Sequence, residues 1–218
     1  MSKLDISLQC TARYRARPLR SLSGQLMPES MPPQLHIALL RGINVGGKHL
    51  LPMTQLAKML TLAGATPVRT FIASGNVVFG CPHGQAERVA SEVAAAIEQT
   101  CGFAAPVVIR SAEQWTAMVQ ANPFVAAGGD PQTLHVACLA AVPTPEHLLA
   151  LDPQRSVGDR WAVVGHDMFL HLPNGTARSK ITTAWLDRAL HTVSTVRNWR
   201  TVLTLQQLTS DCGSGSWT

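Results

Sequence analysis

The sequence predicts an α+β protein, and three observations carry the prediction. Short apolar, β-branched runs alternate with stretches whose apolar residues recur at helical spacing. Those elements follow the order strand, helix, strand, strand, helix, strand, and the order occurs twice. The chain has 218 residues, of which 46% are hydrophobic and 14% charged, enough apolar material for a sizeable core.

The first half begins with the apolar run at residues 35–40, suited to a buried strand. The segment Arg41-Gly-Ile-Asn-Val-Gly-Gly-Lys48 follows as a glycine-rich loop. Met53, Leu56, Met59, Leu60 and Ala63 then recur at helical spacing, with Pro52 at the first helical position and Gly64 just past the end. Residues 68–73 alternate and read as a strand, Ser74-Gly75 as a tight turn, and residues 76–79 as the returning strand. Residues 85–100 place Val89, Val93, Ala96 and Ile97 on one helical face, and Gly102 stops it. Residues 105–110 supply a last strand with Pro106 near its start. This is the ferredoxin-like pattern, an αβ-plait spanning residues 34–110, whose second sheet face needs a cover.

The second half spans residues 111–209. Ser111-Ala-Glu-Gln114 matches a capping box and opens a short helix that ends at Asn122-Pro123. Residues 133–140 read as a strand, and Thr144 caps a helix reaching Leu151. Residues 160–164 and 168–172 form a hairpin, residues 179–190 a helix, and residues 193–196 a strand. A C-terminal helix over residues 198–208 closes the fold. With the helices at Ser111 and at the C-terminus set aside, a second βαββαβ unit remains. The halves share element order with little residue identity, so two tandem plaits are expected to cover each other's open faces.

Residues 1–33 carry five basic and two acidic residues and read as a disordered arm. An upstream start codon, with Met27 or Met31 as the true beginning, explains that arm more simply than docking on phosphate. The tail at residues 210–218 reads as flexible. The remaining 13 basic and 11 acidic residues nearly balance, which argues against a global footprint for nucleic acid. Five widely spaced cysteines without a C-x-x-C pair suit a reducing, cytoplasmic compartment. No run approaches the ~18 apolar residues of a membrane span.

The glycine-rich segment, Ser74-Gly-Asn76-Val-Val-Phe79, Asn122-Pro-Phe124, Ser179-Lys180 and Thr195-Val-Arg-Asn-Trp-Arg-Thr201 occur in this order. The set resembles the uncharacterised bacterial domain-of-unknown-function family 1697 over residues 35–208. The resemblance implies an α+β protein of two plait-like units and no established activity. Residues 71–74 depart from the family's more usual Tyr and Gln near these positions.

The motif side chains are rich in donors: Arg41, Asn44, Lys48, Ser74, Asn76, Lys180, Arg197 and Asn198, with no carboxylate among them. With the backbone of Gly46 and Gly47, a converged set suits a small phosphorylated or otherwise anionic ligand. The loop matches neither the P-loop nor the G-x-G-x-x-G order. Its plainer reading is a tight turn in which Asn44 bonds its own backbone. Asn198 suits the cap of the last helix, and Arg197 beside it is the residue most expected to touch a ligand. Lys180, in the first turn of its helix, opposes the helix dipole, which favours a ligand role. No general base stands in the motifs and the histidines lack metal-site spacing, so no catalytic residue, cofactor or metal is assigned. Single-stranded nucleic-acid binding, or a transferase acting by positioning alone, are the alternatives.

Overall fold

Sequence alternation becomes sheet geometry directly in the first strand. In the computed structural model, which describes residues 32–213, β1 (Gln34–Leu40) buries Ile37 and Leu39 on one face and Ala38 and Leu40 on the other. It is followed by α1 (Met53–Leu62), β2 (Val68–Phe71), β3 (Asn76–Cys81), α2 (Ala86–Cys101) and β4 (Val107–Ser111). These strands form an antiparallel sheet in the order β2-β3-β1-β4. Then come α3 (Ala112–Gln120), α4 (Pro123–Ala126), β5 (Leu134–Leu139), α5 (Pro145–Leu149), β6 (Arg160–Val164), β7 (Asp167–His171), α6 (Thr183–Leu190), β8 (Ser194–Asn198) and α7 (Trp199–Gly213). The second antiparallel sheet has the corresponding order β6-β7-β5-β8. The result is a mixed α+β unit running from Pro33 onward, with a C-terminal helix.

Each sheet has one face covered locally. Leu56, Leu60, Val89, Val93 and Ile97 of α1 and α2 pack on Ala38, Leu40, Val77 and Phe79. Leu186 and Leu190 of α6 pack on Ala137, Leu139, Met168 and Leu170. The opposite faces share one core: Ile37, Leu39 and Val78 meet Val136, Cys138 and Phe169, together with Trp115 of α3 and Trp199, Val202 and Leu205 of α7. Trp115 donates its Nε1–H to the carbonyl of Val202 at 3.2 Å. The helix α3, which a boundary at residue 110 places in the second half, packs on β1 and β4 of the first half and on α7 of the second. It stands after the fourth strand of its sheet as α7 stands after the fourth strand of the other.

The register shows an identity that the sequence reading missed. Leu35-His36-Ile37-Ala38-Leu39-Leu40 corresponds to Leu134-His135-Val136-Ala137-Cys138-Leu139, because Ile37 and Val136 face Arg110 and Arg197 across their sheets. Ser111 and Asn198 follow those arginines and face His36 and His135. Ser111 closes the expected capping box with Gln114, and Asn198 Oδ1 accepts the Thr201 N–H.

Several boundaries differ from expectation for local reasons. β2 ends at Phe71 because Ile72 takes a left-handed conformation (φ 48°), lengthening the hairpin turn. Asn122 does not simply end a helix. Its side chain accepts from Phe124 N–H and starts α4. Helix α6 begins at Thr183 under a Thr182 cap, four residues later than expected. Helix α7 runs past its expected end at residue 208 and takes in residues 210–213 of the expected tail: Thr209 and Ser210 hydroxyls bond Gln206 O, and Cys212 is buried. Residues 1–31 and 214–218, holding most of the expected arm and the tail's end, lie outside the described residues.

His36 and His135 are both buried, and each Nδ1 lies within hydrogen-bond reach of the carbonyl two residues back, Gln34 O at 3.0 Å and Thr133 O at 3.4 Å. Burial lowers both from the ordinary 6.5, with the carbonyl contact opposing it. A depressed imidazole supports the fold above the unfolded value and withdraws that support as pH falls below 6.5 toward the folded value. We expect the melting temperature to drop from about pH 7.5 to about pH 5.5, and to drop less when His36→Asn and His135→Asn are combined. Thermal unfolding followed by circular dichroism checks this. Equal drops in both proteins would remove the histidines as the cause.

Candidate functional site

The glycine-rich loop is braced from within. Asn44, at φ 55°, accepts Leu51 N–H at 2.8 Å and donates to Leu51 O at 2.9 Å and Ala73 O at 2.8 Å. Gly46 and Gly47 have φ of 57° and 73° at an exposed tip, where glycine removes the penalty of the left-handed region. Lys48 is exposed, and its backbone closes the tip by donating to Val45 O. Arg41 pairs with Asp187 of α6, whose other oxygen accepts the Ser194 N–H and O–H at 2.8 and 2.7 Å. The charge of Arg41 is met by a carboxylate outside the motifs.

Arg197 is buried and fully engaged. Its Nε donates to Asn76 Oδ1 at 2.5 Å, Nη1 to Thr195 Oγ1 and Val196 O, and Nη2 to Leu40 O and Ser74 O. A guanidinium has five N–H groups, and these acceptors use all of them. Burial among uncharged partners lowers it from 12.5 to about 10. Asn76 completes the clasp by donating to Phe71 O and Ser74 Oγ. Arg41, Asn44, Ser74, Asn76 and Arg197 therefore gather where the glycine loop meets the β2–β3 turn, but Asn44, Asn76 and Arg197 spend their side-chain donors on the protein itself, and Arg41 gives one nitrogen to Asp187.

Lys180 and Asn198 are placed elsewhere. Lys180 precedes α6 and is exposed, so the helix-dipole reasoning does not apply. Its backbone binds Ser156 Oγ and Arg155 Nε. Asn198 is occupied as the α7 cap.

The residue overlooked in the sequence is Arg110, at the position in the first sheet equivalent to Arg197 in the second. It is buried and reaches from β4 to the far sheet: Nη1 donates to Ile109 O, and Nη2 to Leu139 O, His166 O and Asp167 Oδ1. Leu139, His166 and Asp167 stand to Arg110 as Leu40, the Ser74 turn and Asn76 stand to Arg197. This second clasp is incomplete. Arg110 Nε is buried without a hydrogen-bond partner, and one Nη1 hydrogen is unassigned. Burial raises Asp167 from the ordinary carboxylate value, with Arg110 opposing the rise.

Arg110 borders two adjoining clefts that also share Gln114 and His166. One, of about 320 Å³, includes Gln34, His36, Glu87 and Ser111. The other, of about 220 Å³, includes Ala117, Met118, Ala121 and Phe169. His36 Nδ1 lies 3.0 Å from Gln34 O and 3.8 Å from Cys81 Sγ; in the tautomer that donates Nδ1–H to the carbonyl, Nε2 is an acceptor. The signal for Arg110 was present in the letters as Val-Ile-Arg-Ser beside Thr-Val-Arg-Asn, ending the fourth strand of each half. Among the described residues, no group of three or more His, Cys, Asp or Glu is placed to hold a metal, and no helix is long and apolar enough to cross a membrane.

A family model described as a protein of unknown function (DUF1697) matches residues 34–169. The chain belongs to that family. The match takes in the first sheet, both arginine-clasp turns and β5 to β7 up to Phe169, and ends before Ser179-Lys180 and the β8 motif. Among solved structures, the chain is similar to the conserved bacterial protein SP0830 from Streptococcus pneumoniae. The two share 20% identity with a TM-score of 0.61, over 80% of this chain and 97% of that one. At this identity the likeness concerns the fold. No curated protein matches the sequence.

The clasps make a direct prediction. Arg197→Met strips partners from Leu40 O, Ser74 O and Asn76 Oδ1, and we expect a loss of about 3 kcal/mol or more in urea unfolding. Lys48→Ala and Lys180→Ala, at exposed sites, are expected to stay within about 0.5 kcal/mol. A neutral Arg197→Met would show that the clasp is not structural.

Proposed function

We propose that this protein binds a small ligand carrying an anionic group, and that Arg110 receives it. One observation carries the reading: a buried guanidinium with unused donors borders two clefts, while its counterpart Arg197 is saturated. Leaving a buried donor unpaired costs about 1–3 kcal/mol, a cost that a ligand's oxygen would recover. Gln114 and His166 are exposed at the shared rim and supply further polar contacts.

The motif residues Arg41, Asn44, Gly46, Gly47, Lys48, Ser74, Asn76, Lys180, Arg197 and Asn198 are the weaker place for that ligand, because Asn44, Asn76 and Arg197, which meet at the clasp, have spent their side-chain donors on the protein. Lys48, Lys180 and the exposed glycine backbone remain available, but they stand apart from the clasp. The architecture we assign is a tandem of ferredoxin-like units, on the strength of the two corresponding strand orders. Base stacking on open sheet faces, the mode by which such units commonly read RNA, finds these faces buried in the shared core. The four described cysteines are unpaired, which supports a cytoplasmic setting.

The test is a thermal-shift and calorimetric screen with small carboxylates and phosphorylated metabolites, using the wild type, Arg110→Lys, His166→Ala and Arg41→Ala. A ligand that favours the folded state raises the melting temperature. We expect at least one class to bind, Arg110→Lys and His166→Ala to weaken it by about ten-fold or more, and Arg41→Ala to leave it unchanged. Binding lost in Arg41→Ala and kept in both other variants would move the site to the glycine loop.

A further inference from the structure

The surroundings of Arg110 restrict what the ligand can be. The guanidinium is not alone in its clefts: Asp167 shares one of its nitrogens, and the exposed Glu87, in the first turn of α2, borders the polar cleft. Two carboxylates against one guanidinium do not favour a dianion such as a phosphate monoester. They suit a ligand that brings a positive charge beside its negative one. Near Glu87, which acts electrostatically on it, His36 offers a neutral imidazole whose Nε2 accepts hydrogen bonds in the tautomer that keeps the proton on Nδ1. The 220 Å³ cleft on the other side of Arg110 has Ala117, Met118, Ala121 and Phe169 in its wall. Polar and apolar compartments thus diverge from one cation.

Resting on the reading that this cleft is the ligand site, we propose that the ligand is a zwitterionic amino acid with an apolar side chain. Its carboxylate takes the unused Arg110 donors. Its ammonium lies toward Glu87 and His36 Nε2, and its side chain enters the cleft walled by Met118 and Phe169.

Four small molecules dissect this by isothermal titration on the full chain: leucine, 4-methylpentanoate (no ammonium), leucinamide (no carboxylate) and glycine (no side chain). Leucine is expected to bind tightest. Loss of either charge is expected to weaken binding by about ten-fold or more, since each removes a charge-assisted contact. Loss of the side chain is expected to weaken it on the order of a hundred-fold, as several methylenes return to water. Glu87→Gln is expected to weaken leucine about ten-fold and not to weaken 4-methylpentanoate, whose carboxylate it relieves of a like charge. Ala117→Leu, a helix-compatible filling of the apolar cleft, is expected to weaken leucine and spare glycine. If 4-methylpentanoate binds as well as leucine and Glu87→Gln is silent, the ligand is not a zwitterion, although the anion site stands. Equal affinity for glycine and leucine overturns the side-chain assignment. Failure of all four compounds, with binding of a phosphorylated metabolite lost in Arg110→Lys, overturns this proposal alone. Failure of every carboxylate and phosphate overturns the site as well.

Discussion

A guanidinium buried without a carboxylate has to find every hydrogen bond that water would have given it, and Arg197 does. Its acceptors come from the end of β1, the β2–β3 turn and β8, so the bonds can form only when the two sheets are correctly placed. Dispersion and burial in the shared core bring the sheets together without much directional preference. The clasp adds direction, because an error in placement leaves both a charge and several carbonyls unpaired away from water. Arg110 repeats the device from the other side, with His166 and Asp167 in place of Ser74 and Asn76. Arg41 with Asp187 adds a third, more exposed link between the halves.

The two clasps differ in how they close. One is closed by a neutral amide and consumes every donor. The other is closed by a carboxylate, shares one nitrogen three ways, and leaves donors over beside open clefts. The corresponding strand orders make the two clasps comparable: Arg197 spends its donors on the structure, while Arg110 has donors that the protein does not use. Similar reasoning covers His36 and His135. They share a backbone arrangement, yet the cleft at His36 includes Arg110 and Glu87, whereas the one at His135 includes Asn198 and Arg200.

Much of the fold was legible because it depends on signals local to a few residues. The capping box at Ser111 and the caps at Thr144 and Asn198 work within one helical turn, where the main-chain partner lies at a fixed offset from the capping letter. The site was less legible because a count of donors omits the acceptors that consume them. Leu40 O and Ser74 O, which occupy Arg197, are main-chain atoms with no letter of their own. Asp187 lies far from Arg41 in sequence and outside every motif, so the apparent lack of carboxylates was a property of the motifs and not of the place. Lys180 was placed inside the helix because Ser179 and Thr182 both accept from backbone N–H groups nearby, and it is Thr182 that caps α6. The L-H-x-A-x-L repeat was visible in principle, but a short apolar run gains meaning only when its register against Arg110 and Arg197 is known.

The most direct measurement is to follow the arginine side-chain N–H signals by NMR, assigned through Arg110→Lys and Arg197→Lys, while a carboxylate ligand is titrated in. We expect the Nε–H of Arg110 to shift with ligand and to become protected from exchange, and that of Arg197 to be protected throughout and unmoved. A shift at Arg197 or Arg41 with none at Arg110 would contradict the division between a structural and a binding arginine.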